Sequence, residues 1–95
     1  MPTISTKQEL IDYFVEKRDR GGQEGESYYA TLGDVLTLLN QSDDIAQIKS
    51  TVRKWHREKL AEIQRTASVE ERIEQRKQLA VYDDCLTQLR GISVN

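Results

Sequence analysis

The side chains able to do chemistry are few and widely spaced. The chain has one histidine, His56, one cysteine, Cys85, and three adjacent carboxylate pairs, Asp43-Asp44, Glu70-Glu71 and Asp83-Asp84. Paired carboxylates serve general acid–base catalysis only when both reach one substrate. Neighbours on a helix point about 100° apart, so none of these pairs shares a target. The first two pairs also fall where helix starts favour negative charge. A lone Cys and a lone His build no zinc site, and a lone Cys closes no internal disulfide. Cys85 lies among Tyr82, Leu86 and Leu89, with no basic residue at helical spacing before Arg90, and reads as a small buried apolar group. His56 reads as a core-edge residue bonded to a neighbouring helix, with a neutral-pH switch as the functional alternative. Gly21, Gly22 and Gly25 lack the Lys-Ser/Thr of a phosphate loop. No catalytic, metal-binding or cofactor-binding residues emerge, and no small-molecule substrate is evident. The expectation is that the protein is not an enzyme.

What remains is charge. The net charge is −2, but it is unevenly spread. Residues 1–48 carry four basic and nine acidic groups, whereas residues 49–77 carry nine basic and five acidic. Arg53, Lys54 and Arg57 are the densest basic cluster, on one flank of a helical stretch that also holds the only Trp, Trp55. Two readings follow. The cluster faces acidic surface, either the chain's own first two helices or a partner's, or it contacts phosphates.

Four helices must position these groups. Thr6-Lys7-Gln8-Glu9 is a capping box opening a helix over about 7–19 that stops near Gly21. The glycine-rich stretch 20–27 reads as a flexible connector. Tyr28, Tyr29, Leu32, Val35, Leu36 and Leu39 share one face of a second helix over about 28–40, capped by Ser27 or, with a later start, Thr31. Gly33 within it either admits a neighbouring backbone or is merely tolerated at a cost of about 1 kcal/mol. Ser42 or Asp43 caps a third helix over about 43–65, whose apolar stripe is Ile45, Ile48, Val52, Trp55 and Ile63, with Leu60 on its edge. On the same wheel Lys59 lies within the stripe, its stem covering apolar surface and its ammonium reaching out. Ser68-Val69-Glu70-Glu71 is a second capping box, opening a helix over about 69–90 that ends at Gly91 as a left-handed cap, with Ile92 folding back towards Leu86. Its seam is Leu79, Tyr82, Leu86 and Leu89, while Val69 and Ile73 sit on another meridian.

Two helices of about 22 residues joined by so short a connector must form an antiparallel hairpin. The fold class is therefore all-α: a four-helix arrangement on a long hairpin, with two shorter N-terminal helices, in one domain over 1–95. Residues 1–5 and 93–95 are expected to be flexible ends. No run approaches the roughly 18 apolar residues of a membrane span, and MPTISTKQEL lacks a secretory pattern. A cytoplasmic location is the expectation.

Two family resemblances attach to these helices. Thr31-Leu32-Gly33-Asp34-Val35-Leu36 followed by Ser50-Thr51-Val52-Arg53-Lys54-Trp55 resembles the support and recognition helices of helix-turn-helix DNA-binding domains. That resemblance implies phosphate contacts from Arg53, Lys54 and Arg57, with Ser50 or Gln47 near base edges. About ten residues separate Leu39 from Ser50, where the family has a turn of three or four. His56-Arg57-Glu58-Lys59 stands where J-domain co-chaperones carry His-Pro-Asp. Ala80-Val81-Tyr82 through Leu86 is similar to that family's third helix, and Tyr28-Tyr29 with Leu32-Gly33 to its first. Without the proline the helix continues through Arg57, and the family's exposed loop is lost.

The functional expectation is a small non-catalytic interaction module, a regulator or adaptor that binds a protein partner or itself as a homodimer. Arg53, Lys54, Arg57, Trp55, Val69, Ile73 and an exposed edge of Tyr82 are the expected contacts. The alternative is a nucleic-acid-binding regulator using the basic flank of the third helix.

Overall fold

A computed structural model describes residues 4–20 and 25–92. It contains α1 (Lys7–Arg20), α2 (Glu26–Gln41), α3 (Ile45–Arg65) and α4 (Val69–Leu89), and the fold is all-α. The expected flexible ends at 1–3 and 93–95, and Gly21 with most of the 20–27 connector, lie outside the described residues.

The helix starts follow side-chain chemistry. The Thr6 hydroxyl accepts the Glu9 amide at 3.1 Å, while the Glu9 carboxylate accepts the Ser5 and Thr6 hydroxyls. The box closes through side chains. Ser68 caps α4 by accepting the Glu71 amide at 3.3 Å. Two caps differ from expectation. Asp44, not Ser42 or Asp43, caps α3, accepting the Gln47 amide at 3.2 Å. This frees Asp43 to pair with Lys7 of α1. α2 begins at Glu26 after Gly25, whose φ of 95° suits only glycine, and Ser27 is already inside the helix. The Ser27 carbonyl instead accepts the buried Thr31 hydroxyl at 2.8 Å.

α3 and α4 pack along their length as the antiparallel hairpin that their lengths dictate. α2 lies along α4, and α1 along α2. The core takes Leu10 and Phe14 from α1, Leu32, Val35, Leu36 and Leu39 from α2, and Ile48 and Val52 from α3. α4 and the residues after it add Val81, Tyr82, Cys85, Leu89 and Ile92. The expected α4 seam is only half right. Tyr82 and Leu89 are buried, whereas Leu79 and Leu86 are half-buried. A helix with neighbours on two sides buries two stripes, so Val81 and Cys85 go in as well. Val81 shares a cleft with Tyr28 and Leu32 of α2.

α1 is fastened to α4 by polar groups. Asp84 accepts the Tyr13 hydroxyl at 2.8 Å and the Lys17 ammonium at 2.7 Å. Burial pushes the Tyr13 phenol above its usual range, and Asp84 adds to that rise. Burial works against the charged form of Lys17, but its bonds to Asp84 and Tyr13 win and raise its pKa.

Gly91 also departs from expectation. It takes no left-handed conformation, since Gly25 is the positive-φ glycine among the described residues. Its reason is space: a Cβ there would sit 2.6 Å from the Ile4 carbonyl oxygen. Gly33 has nothing within 4 Å of where a Cβ would stand, so it is tolerated rather than required.

Candidate functional site

Lys49, Arg53 and Arg57 recur every four residues on α3 and rise together along one face. With Ser50 and His56 they line an open groove of about 650 Å³, closed on one side by Leu86 of α4. Arg53 and Arg57 are exposed and Lys49 half-exposed. None of the three forms an ion pair among the described residues. Among the described residues the chain's own first two helices therefore do not pair with this row, which leaves a partner's acidic surface or phosphate of the sequence readings. Three carboxylates of the acidic first half are paired elsewhere: Glu16 holds Arg20, Asp19 holds Arg18, and Asp43 holds Lys7.

Lys54 leaves the cluster. It points about 100° from Arg53 and lies 4.0 Å from Glu58 on its own helix. Lys49, one turn before Arg53, takes its place; its i−4 spacing was the available signal. His56 sits where the sequence placed it, at the core edge and bonded across helices. Its Nε2 lies 2.7 Å from Oδ1 of Asp83, with the ring 22% exposed. Asp83 and Asp84 thus use their angular separation to tie α4 to two different helices, α3 and α1. Lys59 behaves as its position predicts, with its stem buried and its ammonium 3.0 Å from Glu62.

The aromatic contacts are on other surfaces. Trp55 is half-buried, packed on Tyr82 with ring centroids 5.9 Å apart, and it faces a cleft with Asp34, Thr37, Leu38 and Gln41 of α2. Tyr82 is only 8% exposed, so it offers no edge to a partner. The sequence pattern missed this because Tyr82 lies in the middle of α4's two buried stripes.

The far end of the hairpin is different again. Val69 is 63% exposed, Ile73 50% and Leu60 39%, all within two turns of the α3–α4 connection. Beneath them is a polar cluster. Gln75, itself buried, donates to Glu62 at 3.0 Å and to the Thr66 hydroxyl at 2.9 Å. The hydrogen bond from Lys59 holds the Glu62 carboxyl below its usual range, against a smaller desolvation effect. Glu70, Glu71 and Glu74 with Ser27 of α2 form an acidic cleft beside this cluster.

Cys85 is fully buried, and burial, with Asp84 adding to it, pushes its thiol up to about 12. It is core, as its neighbours in the sequence implied. Among the described residues no cluster of His, Cys, Asp or Glu is arranged to hold a metal ion, and no helix is long and apolar enough to cross a membrane. α3 runs unbroken through Ser50–Trp55 and through His56–Lys59. Ser50 is therefore mid-helix, not at a recognition helix's first turn, and no loop forms at His56. No protein family, curated protein or solved structure matches the chain.

Proposed function

We propose that this protein is a small non-catalytic helical module that acts by binding protein surface, a second copy of itself included, through the distal end of the α3–α4 hairpin. The observation that carries this reading is the exposure of Val69, Ile73 and Leu60 together at that end. Helices spend apolar residues in water only where something else covers them or where the patch is too small to matter. Fully burying a Val or Ile side chain is worth about 1.5–3 kcal/mol. Partial burial of three such groups therefore gives a weak, reversible contact, well below the roughly 800 Å² per partner of a stable interface. Self-association is expected only at protein concentrations of about 0.1–1 mM. Sedimentation equilibrium tests this: apparent mass should rise with concentration for the natural chain and stay at 11.0 kDa for Ile73→Glu. A natural chain that remains monomeric throughout removes the homodimer.

A further inference from the structure

A second surface, at the other end of the same hairpin, has a different chemistry. On α4, Arg76, Asp83 and Arg90 recur every seven residues, within about 40° of one another at 100° per residue. Asp83 reaches His56 of α3, and His56 also lines the groove of Lys49, Arg53 and Arg57. Asp83 and Leu86 therefore border that groove, with Arg90 two turns farther along α4 and Arg76 two turns back towards the α3–α4 connection. Arg76 and Arg90 are exposed and, like the α3 row, form no ion pair among the described residues. Lys49, Arg53 and Arg57 thus line one groove with no ion pair among the described residues, and Asp83 beside it is already engaged by His56.

From this juxtaposition we infer that the face binds the phosphate backbone of duplex nucleic acid without reading its sequence. Three physical arguments favour this ligand. From Lys49 to Arg57 the row covers about 12 Å of helix axis. Over that length a duplex presents about seven phosphates, so three cations in line meet more than enough anionic partners. The groove is also lined by no Phe, Tyr or Trp, because Tyr82 is buried and Trp55 lies in a cleft with α2, and its His56 ring is held by Asp83. Single-stranded nucleic acid is held largely by stacking on aromatics, so a single strand has no such platform here. Finally, the chain's net charge of −2 does not cancel the local field. The acidic cleft of Glu70, Glu71 and Glu74 includes Ser27 of α2 and Glu62, which is about 180° around α3 from Arg53. A helix diameter exceeds the screening length of about 8 Å at physiological salt.

The test is fluorescence anisotropy of the full chain with a labelled generic duplex of about 20 base pairs, at several salt concentrations. Three phosphate contacts give a slope of log K against log salt near −2.7, so affinity should fall about 40-fold between about 50 and 200 mM salt. Replacing Arg53 and Arg57 together by Ala should reduce the slope by about 2, with an unchanged circular-dichroism spectrum because both side chains are exposed. Lys54→Ala, off this face and beside Glu58, should leave binding within about two-fold. The inference is overturned by absent or salt-insensitive binding at about 50 mM, or by equal losses from Lys54→Ala and Arg53→Ala. It is overturned equally if single strands or polyglutamate bind as tightly as the duplex. Self-association is read separately by sedimentation, so either result stands without the other.

Discussion

At the scale of the residue, two glycines make opposite predictions. Gly33 stands inside α2 with open space at its Cβ position, so Ala removes unfolded-state freedom without a clash. Gly33→Ala should stabilise the protein by about 0.5–1 kcal/mol and raise its melting temperature by roughly 3–6 °C. Gly91→Ala would drive a Cβ against the Ile4 carbonyl oxygen and should destabilise by about 1 kcal/mol or more. Thermal unfolding of the two variants side by side checks both, and a stabilising Gly91→Ala would refute the packing role. The sequence left Gly33 open and assigned Gly91 a turn conformation, because glycine's two uses, freedom of φ and lack of bulk, look identical in one dimension. Cys85 was legible, since its apolar neighbours are on its own helix.

At the scale of the element, the hairpin is set by composition and by caps that are local in sequence. Its distal register is fixed by a contact that is not: Gln75 of α4 donates to Glu62 of α3, a carboxylate that Lys59 holds from one turn away on its own helix. The Glu62 carboxyl titrates below its usual range when folded, so the unfolded chain binds its proton first as pH falls. Its contribution to stability is complete above the ordinary value of 4.5 and is lost as pH drops through the lower folded value. Urea midpoints measured between about pH 6 and 3 should fall, and the fall should be shallower in Glu62→Gln. An identical acid limb in both proteins would show that the carboxylate does not anchor this end. α4's burial pattern follows the same logic. Val69 and Ile73 at its start and Val81 in its middle are chemically alike, and only the placement of α2 decides which are covered.

At the scale of the whole molecule, the chain is longer than it is wide, 42 × 28 × 25 Å, with a radius of gyration of 13.6 Å. A compact chain of this length has about 12 Å. The elongation reflects a two-helix frame with α2 laid along it and α1 outermost. α1 contributes Leu10 and Phe14 to the core, packs Ile11, Tyr13 and Val15 against it, and adds polar ties, Tyr13 and Lys17 on Asp84 and Lys7 on Asp43. Asp84→Asn weakens the Lys17 tie, which is partly exposed, so the cost is about 1 kcal/mol. Hydrogen exchange should then speed up in α1 while α3 and the second half of α4 keep their protection. Uniform loss of protection would mean that α1 is integral to the cooperative core.

The sequence by itself determined the all-α class, the four helices, the long hairpin and the coarse distribution of charge. These follow from periodicity, caps and connector length, which act over a few residues. It also placed His56 at the core edge and Cys85 inside. Tertiary structure alone decided which partners the polar groups found across helices. Asp83 and Asp84 parted to α3 and α1, Leu86 of α4 closed one side of the groove of Lys49, Arg53 and Arg57, and among the described residues no carboxylate of α1 or α2 came to pair with that row. The reason is physical: an ion pair or a buried edge is settled by which helix lies opposite, and that is a property of packing between residues far apart in the chain.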